Sequence, residues 1–228
     1  MRRIAAWSIG DWLPLPVIFA TYQAAGWTSG LLGRPLCDQA LLQWDRRLFG
    51  AAPGVWLTGH LPGAALPVFE AFYLSYYLFV PLAPLLLYAR WGSAALWRLW
   101  TCVGLSFLIC DLLFPWFPST PPRLLGPEFS YGGPLQAFNL WILDRFSIHG
   151  NVFPSSHVAA TTTLALCHLR YRRGLGFFFV LWALGVAIST VSGGYHYGVD
   201  AAGGLAVGVA AERLGGRLFR RAVAPMIP

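Results

Sequence analysis

The sequence predicts an all-α fold, a polytopic membrane protein with six transmembrane helices. Of its 228 residues, 57% are hydrophobic and 11% are charged, and the mean hydropathy is +0.57. Soluble domains carry about 25% charged residues, so most of this chain is expected inside a bilayer. Crossing the hydrocarbon takes about 20 apolar residues, and apolar runs are centred on residues 15–25, 66–88, 94–117, 158–169, 177–191 and 199–214. We therefore expect residues 1–228 to form one transmembrane domain.

The elements before and between these runs follow from their local patterns. The first run contains two prolines and lacks a small-residue cleavage site, so it is expected to remain as an anchor. Residues 34–48 alternate charged and apolar side chains at loosely helical spacing, which predicts a connecting helix in the membrane interface. Residues 117–153 are rich in proline and glycine and are expected to form a long irregular loop. Three threonines dilute the fourth run, so a five-span arrangement stays open.

The arginines predict the orientation of the spans, because Lys and Arg concentrate in cytoplasmic loops. With both termini in the cytoplasm, most of the 16 basic residues fall on that side: Arg2, Arg3, Arg90, Arg98, Arg170, Arg172, Arg173, Arg213, Arg217, Arg220 and Arg221. The net charge of +7 then reflects topology, and no nucleic-acid partner is expected. The same alternation puts the loop 117–153, the start of the fourth run and the break before the sixth at one extracytoplasmic face.

The first motif that carries chemistry is Pro154-Ser155-Ser156-His157, at the start of the fourth run. Proline suits the first turn of a helix, where its missing N–H costs no hydrogen bond. Ser155, Ser156 and His157 are therefore expected in that turn. Because the free N–H groups of a helix N-terminus attract anions, this turn is a candidate phosphate site.

The second motif lies between the fifth and sixth runs and contains Gly193, Gly194, His196 and Asp200. The two glycines are expected to end the fifth helix. His196 and Asp200 are four residues apart, so the carboxylate can hold one imidazole nitrogen and leave the other as a nucleophile or base. Taken alone, the pair could equally bind zinc, and a histidine at a span boundary is often only a hydrogen-bonded interface residue.

Together the two motifs, in the region 118–204, resemble the type 2 phosphatidic acid phosphatase superfamily of six-span lipid phosphatases. The sequence departs from the first motif of that family, because it contains no lysine and offers Pro121-Pro122-Arg123. It also has Ser189-Thr190 where the family usually has Ser-Arg. These departures, with the segments 45–50 and 153–157, are similar to the branch that includes inositol phosphorylceramide synthases.

The resemblance implies a role for each motif residue. His196 would attack phosphorus and form a phosphohistidine, with Asp200 orienting its ring. His157 would protonate the leaving alkoxide and then activate the acceptor. Ser155 and the backbone of Ser156 would surround the phosphate oxygens, with serine at position 156 where the family more often has glycine.

Several other charged residues are candidates for the site. Arg123 is the clearest remaining cation, and physical reasoning makes it a bidentate clamp on the developing charge. Arg145 and His149 could also offset phosphate charge, although each is more simply explained as a structural loop residue. Asp111 and Glu70 lie in or near spans, where a carboxylate is costly and tends to mark function or a protonated hydrogen-bonding group. For Asp111 both explanations stay open, and Glu70 is expected at the outer boundary.

The patterns predict a membrane enzyme of lipid phosphate chemistry. The resemblance implies a lipid phosphatase that removes phosphate from a lipid phosphate or diphosphate, of the phosphatidate or polyprenyl type, through a phosphohistidine. Two alternatives stay open: a phospholipid head-group phosphotransferase of the inositol phosphorylceramide synthase type, and a non-catalytic lipid-binding or scramblase-like protein. No cofactor or metal is required, although a zinc hydrolase that uses His157, His196 and Asp200 is a third alternative. The composition, rich in alanine, glycine and arginine, suggests a bacterial inner membrane.

Overall fold

The computed structural model describes residues 8–148 and 150–223, and every regular element in those ranges is helical. The α-helices are α1 (Pro14–Leu32), α2 (Asp38–Phe49), α3 (Pro53–His60), α4 (Ala65–Trp91), α5 (Ser93–Leu113), α6 (Pro134–Phe146), α7 (Ser156–Tyr171), α8 (Arg173–Ser192) and α9 (Gly198–Val223). Short 3-10 helices cover Ile9–Trp12, Phe114–Trp116, Pro122–Leu124 and Pro127–Phe129. Arg2 and Arg3, which contribute to the predicted topology, lie outside the described residues.

Six of these helices coincide with the six predicted apolar runs: α1, α4, α5, α7, α8 and α9. Within the described ranges, three helical segments are long and apolar enough to cross a membrane: Ala65–Trp91, Ser93–Trp116 and Arg173–Ser192. The helices α1, α7 and α9 are not among these candidates. The helix α7 has only 16 residues, and α9 carries charged side chains such as Glu212 and Arg217. The protein thus has three candidate membrane-spanning helices, and the sixfold arrangement stays a prediction.

The helix α7 lies at the centre of the bundle and packs against α8, α9, α5 and α4. Two glycines of α9 allow close contact with α7. A Cβ atom on Gly204 would lie 2.5 Å from the carbonyl oxygen of Ser155, and one on Gly208 would lie 2.7 Å from that of Ala159. The first turns of α7 and α9 therefore lie side by side, which brings together two motifs about forty residues apart in sequence.

The opposite ends of α5, α7 and α9 are joined by an ion triad around the buried carboxylate of Glu212. Glu212 of α9 accepts a hydrogen bond of 2.6 Å from the guanidinium of Arg98. Arg170, near the end of α7, also donates to this carboxylate. Because one carboxylate is shared by two cations, burying it carries no unpaired negative charge. The triad fixes the three helices far from the two motifs.

The segment 117–153, which the sequence predicted as an irregular loop, contains the 13-residue helix α6. Its buried or partly buried positions Gln136, Asn139, Leu140 and Leu143 recur at helical spacing, and Pro134 occupies its first turn. Two of these positions are polar, so the hydrophobic pattern alone did not reveal the helix. The helix packs against α4, where Asn139 donates to the side chain of Glu70.

Candidate functional site

His196 lies in the tight turn that links α8 to α9. This turn requires glycine at position 194, because the residue has φ +68° and a Cβ atom there would lie 2.0 Å from the carbonyl oxygen of Phe129. The ring of His196 is buried, and its Nδ1 lies 3.0 Å from the carbonyl oxygen of Val152 and 3.3 Å from Oδ2 of Asp200. Since both neighbours are acceptors, we assign the ring hydrogen to Nδ1. Nε2 then keeps its lone pair.

Asp200 sits in the first turn of α9 and is fully buried. Its Oδ2 also accepts a hydrogen bond of 2.9 Å from the backbone N–H of Tyr197. The backbone carbonyl of Asp200 accepts a bond of 3.0 Å from the N–H of Ser155. Asp200 therefore fixes the His196 ring through its side chain and the start of α7 through its backbone.

The start of α7 differs slightly from the sequence prediction. Ser155 is the N-cap residue, and its Oγ accepts a hydrogen bond of 3.4 Å from the N–H of Val158. The helix begins at Ser156, so Pro154 precedes the cap instead of occupying the first turn. Ser156 and His157 are the first two helical residues, whose N–H groups have no carbonyl partner within the helix.

His157 faces His196 across the site, with ring centroids 5.8 Å apart. Two aromatic side chains of α4 enclose it. Tyr73 stacks against the ring at a centroid distance of 5.1 Å, with its hydroxyl 3.3 Å from Nε2, and the Tyr76 ring lies 4.5 Å away. The two histidines are therefore held by different elements, one by α7 and α4 and the other by the turn before α9.

Arg123 is attached to the same turn as His196. Its backbone N–H donates a 3.0 Å bond to the carbonyl oxygen of Gly194, and its guanidinium lies 5.1 Å from the centre of the Tyr195 ring. The hydroxyl of Tyr195 donates in turn to Glu70 at 2.9 Å. The cation is thus held over an aromatic ring whose far end is hydrogen-bonded to a buried carboxylate.

Burial shifts the protonation equilibria of this site. Loss of water contact lowers the pKa of His196 to about 3, against an ordinary value of 6.5. Burial also lowers the pKa of Arg123, although neighbouring tyrosines and Glu70 act in the opposite direction. His196 is therefore neutral at physiological pH, the form that can act as a nucleophile or base.

Four of the predicted residues line one cavity of about 770 Å³: Arg123, Ser156, His157 and His196. Asp200 and Ser155 do not line this cavity. Asp200 is hydrogen-bonded to Nδ1 of His196, and the hydroxyl of Ser155 caps α7. A smaller apolar cavity of about 300 Å³ between α1, α4 and α6 also reaches Ser156 and His157. His157 thus lines both the larger cavity, which has polar and apolar walls, and the smaller apolar one.

Three of the other charged candidates, Arg145, Asp111 and Glu70, are not among the residues that line these cavities. Arg145 is exposed, and its guanidinium stacks at 4.3 Å on Trp141 and donates to the carbonyl of that residue. Asp111 is buried within α5 next to a cluster that includes Cys110 and Phe114. His149 lies outside the described residues. Arg145 and Asp111 thus lie outside the walls of both cavities, and a role for either in the site stays a prediction.

Other residues around the site were not singled out by the sequence. Tyr73 and Tyr195 stack with a centroid distance of 4.2 Å. They connect His157, which stacks on Tyr73, to Glu70, which accepts a hydrogen bond from Tyr195. Asp45 of α2 accepts the N–H groups of Gly198 at 3.0 Å and Val199 at 2.7 Å, so it caps α9. These long-range contacts leave no local sequence pattern, although Asp45 lies in a segment that carried the branch resemblance.

The donor types suit zinc, but their arrangement differs from a metal site. In the ranges 8–148 and 150–223, no group of three His, Cys, Asp or Glu side chains is placed to hold a metal ion. Asp200 shares a hydrogen bond with His196 and does not converge with His157 on a common point. The geometry of these three side chains therefore offers no support to the zinc alternative.

The fold and cavity together define a class: a helical membrane protein whose site pairs two histidines, one backed by an aspartate, with an arginine. The sequence matches the profile of the PAP2 superfamily over residues 39–214, and the chain belongs to that superfamily. The crystal structure of LpxE from Aquifex aeolicus is similar, with a TM-score of 0.56 and 17% identity over 76% of this chain and 93% of that chain. At this identity the likeness concerns the fold. No curated protein sequence matches the chain.

Proposed function

We propose that this protein is a membrane lipid phosphatase that removes phosphate from a lipid phosphate or diphosphate through a phosphohistidine at His196. The observation that carries the proposal is the shared cavity of His196, His157 and Arg123, with Asp200 holding Nδ1 of the nucleophile. We further propose that the chain crosses the membrane six times and that the cavity opens at the extracytoplasmic face. The distribution of arginines supports that orientation.

The reaction has two balanced steps. In the first, Nε2 of His196 forms a bond to phosphorus while the bond from phosphorus to the lipid oxygen breaks. His157 enters this step as the imidazolium and gives one proton to the leaving alkoxide, which leaves its ring neutral. In the second, neutral His157 takes a proton from water, whose oxygen attacks phosphorus and displaces His196. Inorganic phosphate leaves, and both rings return to their starting states. Asp200 stabilises the positive charge that His196 gains on attack.

The negative charge on the phosphoryl oxygens needs positive groups around it. Arg123 supplies a planar fork that can donate two parallel hydrogen bonds. The first N–H groups of α7, at Ser156 and His157, add the partial positive charge of a helix N-terminus. These groups can offset the charge without a metal ion.

The apolar cavity beside His157 supports a lipid substrate. Most of its lining comes from aliphatic and aromatic side chains: Leu15, Ile18, Phe19, Tyr22, Tyr76, Tyr77, Phe107, Ile142, Leu143 and Phe146. An acyl or prenyl chain placed there would have its oxygen end at His157. The general acid would then stand next to the lipid alkoxide that must be protonated.

A second function, transfer of a phosphorylated head group between lipids, is favoured by the sparse positive charge. Arg123 and Arg34 are the basic side chains that line the cavity among the described residues, and Arg34 is exposed and stacks on Trp116. A phosphomonoester carries about −1.5 to −2 charges at neutral pH, whereas a phosphodiester carries about one. A cavity of about 770 Å³ also leaves room for a head group. The acceptor alcohol would then replace water in the second step.

The deciding experiment incubates purified protein with a panel of lipid phosphates, lipid diphosphates and phosphodiesters, with and without alcohol acceptors, and identifies products by mass spectrometry. His196→Ala is the test variant. His60→Ala is the matched control, because His60 is exposed on α3 and stacks on Trp56 away from the cavity. Phosphate release that is lost only in His196→Ala supports the phosphatase, and a new head-grouped lipid supports the transferase. Equal product levels in wild type and His196→Ala would overturn catalysis and leave a lipid binder.

A further inference from the structure

Asn151 has an unusual backbone next to the candidate site. Its φ is +60°, and it is the one non-glycine residue with positive φ in the part of the chain that the structure describes. Its side chain is 8% exposed and lines the 770 Å³ cavity together with Ser156, His157 and His196. A buried asparagine in a left-handed conformation beside two histidines needs an explanation.

The position of Asn151 is fixed from two directions. Its backbone N–H donates a 2.7 Å bond to the carbonyl of Ser119. Its Oδ1 accepts a 2.8 Å bond from the hydroxyl of Ser29, which reaches across from α1. With Ser29 as the donor, the amide oxygen is engaged and Nδ2 has no hydrogen-bond partner among the residues of 8–148 and 150–223. Nδ2 is not fully buried, and because Asn151 lines the cavity, this donor is open to it.

The next residue ties Asn151 to the nucleophile. The carbonyl oxygen of Val152 lies 3.0 Å from Nδ1 of His196, so the peptide that follows Asn151 helps to orient the imidazole. This contact is on the Nδ1 side of the ring, and the side chains of Asn151 and His196 both line the 770 Å³ cavity. A group placed in this way is suited to meet a phosphoryl oxygen once the phosphorus approaches Nε2.

We propose that Asn151 is a catalytic residue whose Nδ2 donates a hydrogen bond to a nonbridging phosphoryl oxygen, and that Ser29 is the positioning residue that turns the amide. The inference rests on the proposed phosphoryl chemistry at His196. Asn151 would supply a neutral hydrogen-bond donor in a chain that contains no lysine and has Thr190 where the family usually has an arginine. The donor adds no charge, which suits a cavity with few cations.

The competing explanation is that asparagine is present only because it tolerates the left-handed backbone. Asn151→Gly separates the two roles, since glycine accepts the same φ without strain and removes only the side chain. Asn151→Asp keeps the shape but replaces the donor by a carboxylate oxygen. Ser29→Ala frees the amide to rotate. Thr28→Val is the matched control, because Thr28 is exposed on α1 next to Ser29 and its hydroxyl donates to the carbonyl of Ala24 in the same helix. This variant leaves the Ser29–Asn151 bond intact.

Two measurements test the proposal on the full chain in detergent: kcat/KM for phosphoryl transfer from the best lipid substrate, and the Kd for orthovanadate by calorimetry. Removal of one oxyanion donor costs about 100- to 1,000-fold in turnover. We expect a loss of that order in Asn151→Gly, a larger loss in Asn151→Asp, about tenfold in Ser29→Ala and none in Thr28→Val. Vanadate affinity should fall in the same order. Asn151→Gly and Ser29→Ala both lose the Ser29–Asn151 bond, so their Tm values should fall by similar amounts and do not explain the larger loss of activity in Asn151→Gly.

Wild-type kcat/KM and vanadate affinity in Asn151→Gly would overturn the proposal and leave asparagine a backbone role. A failure of the proposed function has a different signature. In that case wild type turns over no lipid, and vanadate binding alone decides: weaker binding in Asn151→Gly supports an oxyanion donor, and unchanged or absent binding overturns it.

Discussion

Replacing Arg123 tests how much of the phosphate interaction depends on one guanidinium. Its backbone bond to Gly194 does not involve the side chain, so Arg123→Lys and Arg123→Ala should both preserve the turn that carries His196. Lysine keeps the charge but lacks the planar fork and the flat contact with the Tyr195 ring. Alanine removes charge, fork and contact together. The two variants therefore separate simple charge from bidentate geometry.

The size of the effect follows from the partly buried setting of the guanidinium. Two unit charges about 4 Å apart attract by about 4 kcal/mol at an effective dielectric constant of about 20. Because about 1.4 kcal/mol corresponds to a factor of ten in rate, Arg123→Ala should lower kcat/KM by about 1,000-fold. A hydrogen bond to a charged group is worth about 1.5–3 kcal/mol, so Arg123→Lys should remain about 10- to 100-fold below wild type.

The assay measures phosphate release from a short-chain lipid phosphate in detergent, with Tm and circular dichroism as checks of folding. Arg145→Ala is the matched control, because Arg145 belongs to the same long segment but stacks on Trp141 outside the cavity. It should retain wild-type kcat/KM. A folded Arg123→Ala that stays within threefold of wild type would refute the assignment of Arg123 as the phosphate clamp.

Four further predictions concern Glu70, Asp45 and His196. Glu70→Ala should lower the free energy of unfolding by about 1–3 kcal/mol, because it removes the acceptor of the buried Tyr195 hydroxyl. Glu70→Gln keeps an acceptor and should lose less stability, so equal Tm values for the two variants would contradict this. Asp45→Ala should cost about 1–2 kcal/mol as a lost helix cap. Burial raises the pKa of Asp45 from 3.8 to about 6. The folded protein therefore binds this proton more tightly than the unfolded chain does, which stabilises the fold at pH values below about 6. The Tm of wild type relative to Asp45→Asn should fall as pH rises through about 6. For His196, whose pKa burial lowers to about 3, kcat/KM should stay level below pH 6.5, and an acid limb centred near 6.5 would show that the ring titrates normally.

The sequence allowed prediction of features that depend on local pattern. The six apolar runs each coincide with a helix, and Gly193 follows the last residue of α8 as expected for a helix end. His196 and Asp200 meet because four residues separate them on one short turn, a relation that sequence spacing determines directly. The PAP2 resemblance, which rests on the same local motifs, was confirmed. The branch of the superfamily stays a prediction.

Features that depend on long-range packing could not be predicted in this way. The cap on α9 comes from Asp45, 153 residues before Gly198, and the partner of Asn151 is Ser29, 122 residues before it. The helix α6 escaped detection because polar side chains occupy part of its buried face. In each case a polar group is satisfied by a partner that only the tertiary fold brings near, and no local periodicity records such a pairing.

The contacts around the site explain why few charges can suffice. The backbone N–H of Arg123 donates to the carbonyl of Gly194, two residues before His196, so the proposed clamp is anchored to the turn that carries the proposed nucleophile. The backbone bond from Ser155 to Asp200 then fixes the start of α7, and with it His157, against that turn. Donors that are held in place before the substrate binds cost little reorganisation when negative charge develops. On this argument, loosening the turn should impair turnover even when every side chain in the cavity is retained.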